Sequence, residues 1–140
     1  DYSEDAWQFL LRAGEDGRHV PGGFCRAAFE HLLAFLGRET LDARIKENWE
    51  KMGPHTRQNI CYDVLSYPDL LTAETARELF YHPTTSTGER FDIVVNLFEK
   101  RKQRAVETSH LLEMIDVLAR QSGTPEKQRE FLREMTTDLS

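Results

Sequence analysis

The sequence predicts an all-α protein, and three observations carry that reading. No segment alternates apolar and polar residues with period two over four or more positions, the β-branched residues are mostly threonines in cap and loop positions, and eight amphipathic stretches follow one another. The starts of these stretches recur in pairs, at Glu4, Leu41, Ala73 and Ser109, spaced by about 32 to 37 residues, near the period of stacked helical hairpins. The expected architecture is about eight helices in four antiparallel hairpins, arranged as an α-solenoid-like array or as a compact orthogonal bundle.

The first helix is expected from about Glu4 to Ala13, with Ser3 as its N-cap and Trp7, Leu10 and Leu11 on one face. A glycine-rich connection from Gly14 to Gly23, carrying Pro21, leads to the second helix. There Phe24, Ala28, Leu32 and Leu36 repeat every four residues, and Cys25, Phe29 and Leu33 widen the stripe, so the helix should pack on two sides. Gly37 closes it and Thr40 is the expected cap of the third, in which Leu41, Ile45, Trp49 and Met52 face inward before Gly53 and Pro54 stop it. The fourth helix should run from about His55 to Ser66 with Ile60, Cys61, Val64 and Leu65 inward. Tyr67 and Pro68 then force the chain out, because the residue before a proline avoids the α region.

Thr72 caps a short fifth helix with Ala76, Leu79 and Phe80 inward, which Pro83 terminates. Ser86 and Glu89 form a capping box before the sixth, whose apolar positions are Phe91, Val94, Val95 and Phe98. The seventh starts near Thr108 or Ser109, buries Leu111, Leu112, Ile115 and Leu118, and stops at Gly123. Thr124, Pro125 and Glu126 open the eighth with a cap, a proline at the first helical position and an acid in the first turn. Phe131, Leu132, Met135 and Leu139 complete its stripe.

At 140 residues the chain suits one domain, residues 1–140, and its start without a methionine reads as a domain taken from a larger protein. Eight Phe, four Tyr and two Trp are too much aromatic surface for a disordered chain. With 18 basic and 24 acidic residues the net charge is −6, which disfavours broad attraction to nucleic acid or an anionic membrane. No apolar run is long enough to span a bilayer. Two cysteines, Cys25 and Cys61, make no disulfide framework and read as buried small hydrophobes, so an intracellular (cytoplasmic or nuclear), reducing setting is expected.

Leu11, Arg12, Ala13 and Gly14, followed by Ala27, Ala28 and Phe29, form a segment that resembles the turn and second helix of tetratricopeptide and pentatricopeptide repeats. The resemblance lies in architecture and carries no diagnostic motif. It implies a concave groove for a peptide or, in the pentatricopeptide case, for single-stranded RNA, and it implies no individual site residues.

Catalytic and metal constellations are absent from the pattern. The five histidines do not pair at ligand spacing, no G-x-S-x-G or phosphate-loop motif occurs, and no metal or cofactor is expected. Cys25, close to a helix start, is a minor candidate for a reactive thiol, since a helix dipole lowers thiol pKa. Aromatic side chains partly off the inward stripes, Trp7, Phe9, Tyr62, Tyr67 and Tyr81, are the candidate partner-binding residues. Lys100, Arg101, Lys102 and Arg104 form the densest basic patch, a candidate phosphate or acidic-peptide contact, or else a solvated helix end.

The expected function is that of a non-catalytic protein interaction module, a scaffold or adaptor that binds a peptide or helix segment or a second copy of itself. The alternative is an RNA-binding helical repeat that uses the basic patch.

Overall fold

The computed structural model describes residues 2–17, 22–63 and 71–140. Tyr67 lies outside these residues, as do Pro21, Val64, Leu65 and Pro68 of the sequence reading. Among the described residues the chain forms eight α-helices and no strand: α1 Ser3–Arg12, α2 Gly22–Leu36, α3 Arg38–Asn48, α4 Pro54–Tyr62, α5 Ala73–Tyr81, α6 Thr87–Glu99, α7 Thr108–Arg120 and α8 Glu126–Leu139. A single 3-10 turn, Trp49–Lys51, extends α3. The odd-numbered helices start at Ser3, Arg38, Ala73 and Thr108, an even interval of about 35 residues.

Helices α1 and α2, α5 and α6, and α7 and α8 pack as pairs, while α3 lies against α5 and α4 against α6 from one pair to the next. The second pair is looser than a hairpin, with α3 leaning mainly on α2 and α5 and α4 on α6, α1 and α2. One hydrophobic core runs through the whole array, from Trp7 and Leu10 through Phe29, Trp49 and Phe80 to Leu118, Leu132 and Met135. Burial of this apolar surface is the main force that assembles helices too short to stand alone in water.

Local chemistry sets the helix ends. Thr72 Oγ1 accepts a hydrogen bond from the Thr75 amide at 3.1 Å. Ser86 and Glu89 form the reciprocal capping box, with bonds of 3.1 and 2.9 Å.

Four starts differ from the expected ones, the smallest change being α4, which opens at Pro54 and not His55. Helix α1 begins at Ser3, with Tyr2 as the preceding residue. Helix α3 begins at Arg38 rather than after Thr40, because Gly37 at φ +84° turns the chain in a single residue and lets it re-enter the helix at once. Thr124 does not cap α8. It is buried, and its hydroxyl donates to the Leu118 carbonyl at 2.6 Å, leaving Pro125 at the cap position.

Thr85 does the same in the preceding pair, donating to the Leu79 carbonyl at 2.6 Å. In each case an arginine from the following helix then closes the turn, Arg90 on the His82 carbonyl at 3.2 Å and Arg129 on the Gln121 carbonyl at 3.1 Å. The third and fourth pairs therefore share one turn chemistry, in which side chains satisfy the orphan carbonyls at the C-terminal ends of α5 and α7.

Gly53 sits where α1 meets α4. Its amide donates to the Leu10 carbonyl at 3.2 Å, and the Ala13 backbone lies so close that a Cβ at position 53 would collide with it. Of the broad stripe expected on α2, Cys25, Phe29 and Leu32 are fully buried and Ala28, Leu33 and Leu36 pack against the core, whereas Phe24 is 61 % exposed. No helix among the described residues is long and apolar enough to cross a membrane.

Candidate functional site

Among the described residues a concavity lies over α4, α6 and α8. Its floor is α6. Ile93, Val94 and Leu97 are committed to the core, Phe91 and Val95 pack against its edge, and helical geometry turns Asp92 and Glu99 away from it, so that these four line the cleft. Its walls are Tyr62 and Asp63 at the end of α4 and Phe131 on α8, and together they enclose a cleft of about 540 Å³. Phe131 meets Phe91 edge to face, centroids 6.0 Å apart at 69°, an arrangement that aromatic quadrupoles favour. A smaller hollow of about 300 Å³ adjoins it, lined by His55, Gln58 and Asn59, and shares Tyr62 and Asp92 with it.

Asn96 holds the cleft in shape. Its amide nitrogen donates to the Cys61 carbonyl at 2.7 Å, the Tyr62 carbonyl at 3.3 Å and the Asp92 carbonyl at 3.1 Å. These bonds fasten the last turn of α4 to α6, so the Tyr62 ring stands on a fixed base although the residue itself is 72 % exposed. Asp63 accepts an ion pair from Arg26 at 3.5 Å. Among the described residues Asp92 and Glu99 have no ion-pair partner, and no Lys or Arg lines the cleft. Burial pushes the Asp92 carboxyl above its ordinary range, and the nearby Glu89 adds to that.

The other aromatic candidates are used differently. Trp7 is only 7 % exposed, packed into the core with the Arg44 guanidinium 5.7 Å from its ring centre, and Phe9 is half-buried against the same core. Tyr81 donates its phenol proton to Glu113 at 2.7 Å, tying α5 to α7. Burial and that bond push the phenol up to about 12. Phe91 packs against the edge of the core, in keeping with its stripe position, and also lines the cleft, whereas Phe131, assigned to an inward stripe as well, is exposed and lines the cleft from α8. On α8 Leu132 and Met135 take the core positions, and Phe131 beside them is 39 % exposed.

The basic patch lies in the turn after α6, not on a helix. Arg101 folds back over the Phe98 ring at 4.1 Å and donates to the Phe98 carbonyl at 2.8 Å, and Arg104 donates to the Leu71 carbonyl. Lys102 is exposed and Lys100 caps α6. Two of the four cations thus complete the fold's own hydrogen bonding.

Both cysteines are free and buried. Burial raises the Cys25 thiol, against a weaker opposing effect of the Thr56 hydroxyl 3.9 Å away, and burial raises Cys61 further. This overturns the reactive reading of Cys25, since the nucleophile is the thiolate and the site disfavours it. In the native protein both thiols should react with a disulfide reagent at neutral pH more slowly than free cysteine, then rapidly on unfolding. Fast labelling of Cys25 in the native state would contradict this.

Among the described residues no group of three or more His, Cys, Asp or Glu side chains converges as a metal site would require. Set beside known families, curated proteins and solved structures, the chain matches none of them.

Proposed function

We propose that the chain is a non-catalytic protein interaction module of the scaffold or adaptor kind, and that it binds a peptide or helix segment in the cleft over α4, α6 and α8. One observation carries the reading: Tyr62, Phe91 and Phe131 line a shared concavity, Tyr62 and Phe131 exposed and Phe91 at the edge of the core, with α4 fastened to α6 by Asn96. Large aromatic side chains on a rigid base are the residues that most often anchor an interface, because they bury much area while losing little conformational freedom. The even spacing of the odd-numbered helices and the shared turn of the last two pairs support a helical-repeat architecture, which suits a laterally extended binding face. The free buried thiols fit a reducing, intracellular setting.

We prefer a peptide to single-stranded RNA as the occupant. Among the described residues the cleft carries carboxylates and no Lys or Arg, and Arg101 and Arg104 serve the fold's own carbonyls, whereas RNA binding draws on cations that track phosphates.

A displayed random-peptide library selected on the protein tests the reading. Recovered peptides should lose at least about tenfold in affinity on Tyr62→Ala combined with Phe131→Ala, as expected for interface anchors. Recovered peptides that bind this variant as well as the parent would place the binding surface elsewhere.

A further inference from the structure

We propose that the occupant of this cleft is a cationic amphipathic helix of a partner protein, whose apolar side chains lie on Phe91, Val95 and Phe131 and one of whose Lys or Arg side chains pairs with Asp92. The inference rests on the cleft being the binding face, and it adds the chemistry of what binds there.

Charge complementarity carries it. Asp92 belongs to both the cleft and the adjoining hollow, and it is the one carboxylate common to the two. It is half-buried, with no ion-pair partner among the described residues. Glu99, two turns further along α6, repeats the charge on the same face with no ion-pair partner among the described residues, while the Asp63 charge is already answered by Arg26. On α8, helical spacing puts Glu134 and Asp138 on the face that carries Phe131, with Lys127 one turn before it. The balance is acidic, within a chain whose net charge of −6 also favours encounters with cations.

A desolvated carboxylate without a counter-charge costs the free protein stability, and an arriving ammonium or guanidinium removes that cost. Tyr62, exposed beside Asp92, offers a ring face to the same cation. The aromatic floor and walls then take the apolar side of the incoming helix, in the helix-in-groove manner.

Two consequences have definite signs. The folded-state pKa of Asp92 lies above its ordinary value, so its ionisation works against the fold at pH values above that pKa and has no effect below the unfolded one. Asp92→Asn should therefore raise Tm at neutral pH, with the gain vanishing in acid. Binding of the cationic helix needs the ionised form of Asp92, which shares its hollow with His55 of α4 and feels Glu89 of α6, so affinity should fall as pH drops through the raised carboxyl range and recover above it.

The test uses a synthetic amphipathic Leu/Lys helix and its Leu/Gln counterpart, titrated against the parent protein, Asp92→Asn and Tyr62→Ala. Expected is that the Lys helix binds the parent more tightly than the Gln helix and loses about tenfold or more on Asp92→Asn, while that variant keeps or raises its Tm. The Gln helix should be indifferent to Asp92→Asn. Equal binding of the two helices, unchanged by Asp92→Asn but weakened by Tyr62→Ala, would overturn the cationic inference and leave the cleft reading standing. Binding that Tyr62→Ala does not alter, or binding of neither helix, would overturn both.

Discussion

Trp49→Ala should destabilise the protein by about 3 to 5 kcal/mol, the range for removing a large aromatic side chain from a core. Trp49 is the largest fully buried side chain, and it lies in the short 3-10 turn where α3 gives way to α4. Its indole nitrogen donates to the Thr85 hydroxyl at 2.9 Å, and that hydroxyl donates in turn to the Leu79 carbonyl. The truncation thus opens a cavity and strips one bond from the turn that leads into α6. Natural domains hold only about 5 to 15 kcal/mol of stability, so the variant should approach the limit of folding. A fall in Tm on the order of 10 °C is expected for a chain of this size. Trp49→Phe keeps most of the volume and should cost far less. A Tm shift of only a degree or two for Trp49→Ala would mean that the side chain is not buried.

Arg57→Ala should be the next most damaging change, costing about 3 kcal/mol. The Arg57 guanidinium meets the Glu89 carboxylate in two bonds, 3.1 and 2.8 Å, with side chains only 11 % and 17 % exposed. It also donates to the Thr84 carbonyl at 2.8 Å and lies over the Trp49 ring at 4.6 Å. One side chain of α4 therefore clamps the connection between α5 and α6 and the first turn of α6. Removing it leaves Glu89 largely desolvated with only the Ser86 amide as compensation. Arg57→Lys should recover only part of the loss, since an ammonium cannot reproduce the bidentate fork. Because Arg57 and Trp49 touch, the two Ala substitutions should be non-additive in a double-mutant cycle. Denaturant unfolding showing a loss below about 1 kcal/mol would assign the pair to the weak surface class.

Much of the architecture is legible in the sequence because its signals are local. The capping box of Ser86 and Glu89, the Thr72 cap and the inward position of Trp49 each follow from spacing within a few residues, and each is present. Reading failed where one residue type serves two purposes. Thr40 and Thr124 have the chemistry of caps, yet Gly37 makes a cap at Thr40 unnecessary, and the Leu118 carbonyl takes the Thr124 hydroxyl. The broad stripe of α2 does not say which edge meets α1 and α4, so Phe24 reads as core although it faces out.

The cleft is only half legible. Tyr62 stands off the apolar stripe of α4 and can be singled out as a candidate. Phe91 and Phe131 sit at stripe positions, and their place in the cleft depends on which neighbour packs where. Asp92 gives no local sign at all, because its desolvation comes from tertiary packing that puts the end of α4, fastened by Asn96, beside it.

The most direct test of the binding face is amide chemical-shift mapping of the isotope-labelled protein during titration with the Leu/Lys helix. Shifts are predicted to concentrate on the last turn of α4, on Phe91, Asp92, Val95 and Glu99 of α6, and around Phe131 of α8. Shifts concentrated instead on the exposed α2 face, around Phe24 and Phe35, would contradict the assignment of the cleft as the binding site.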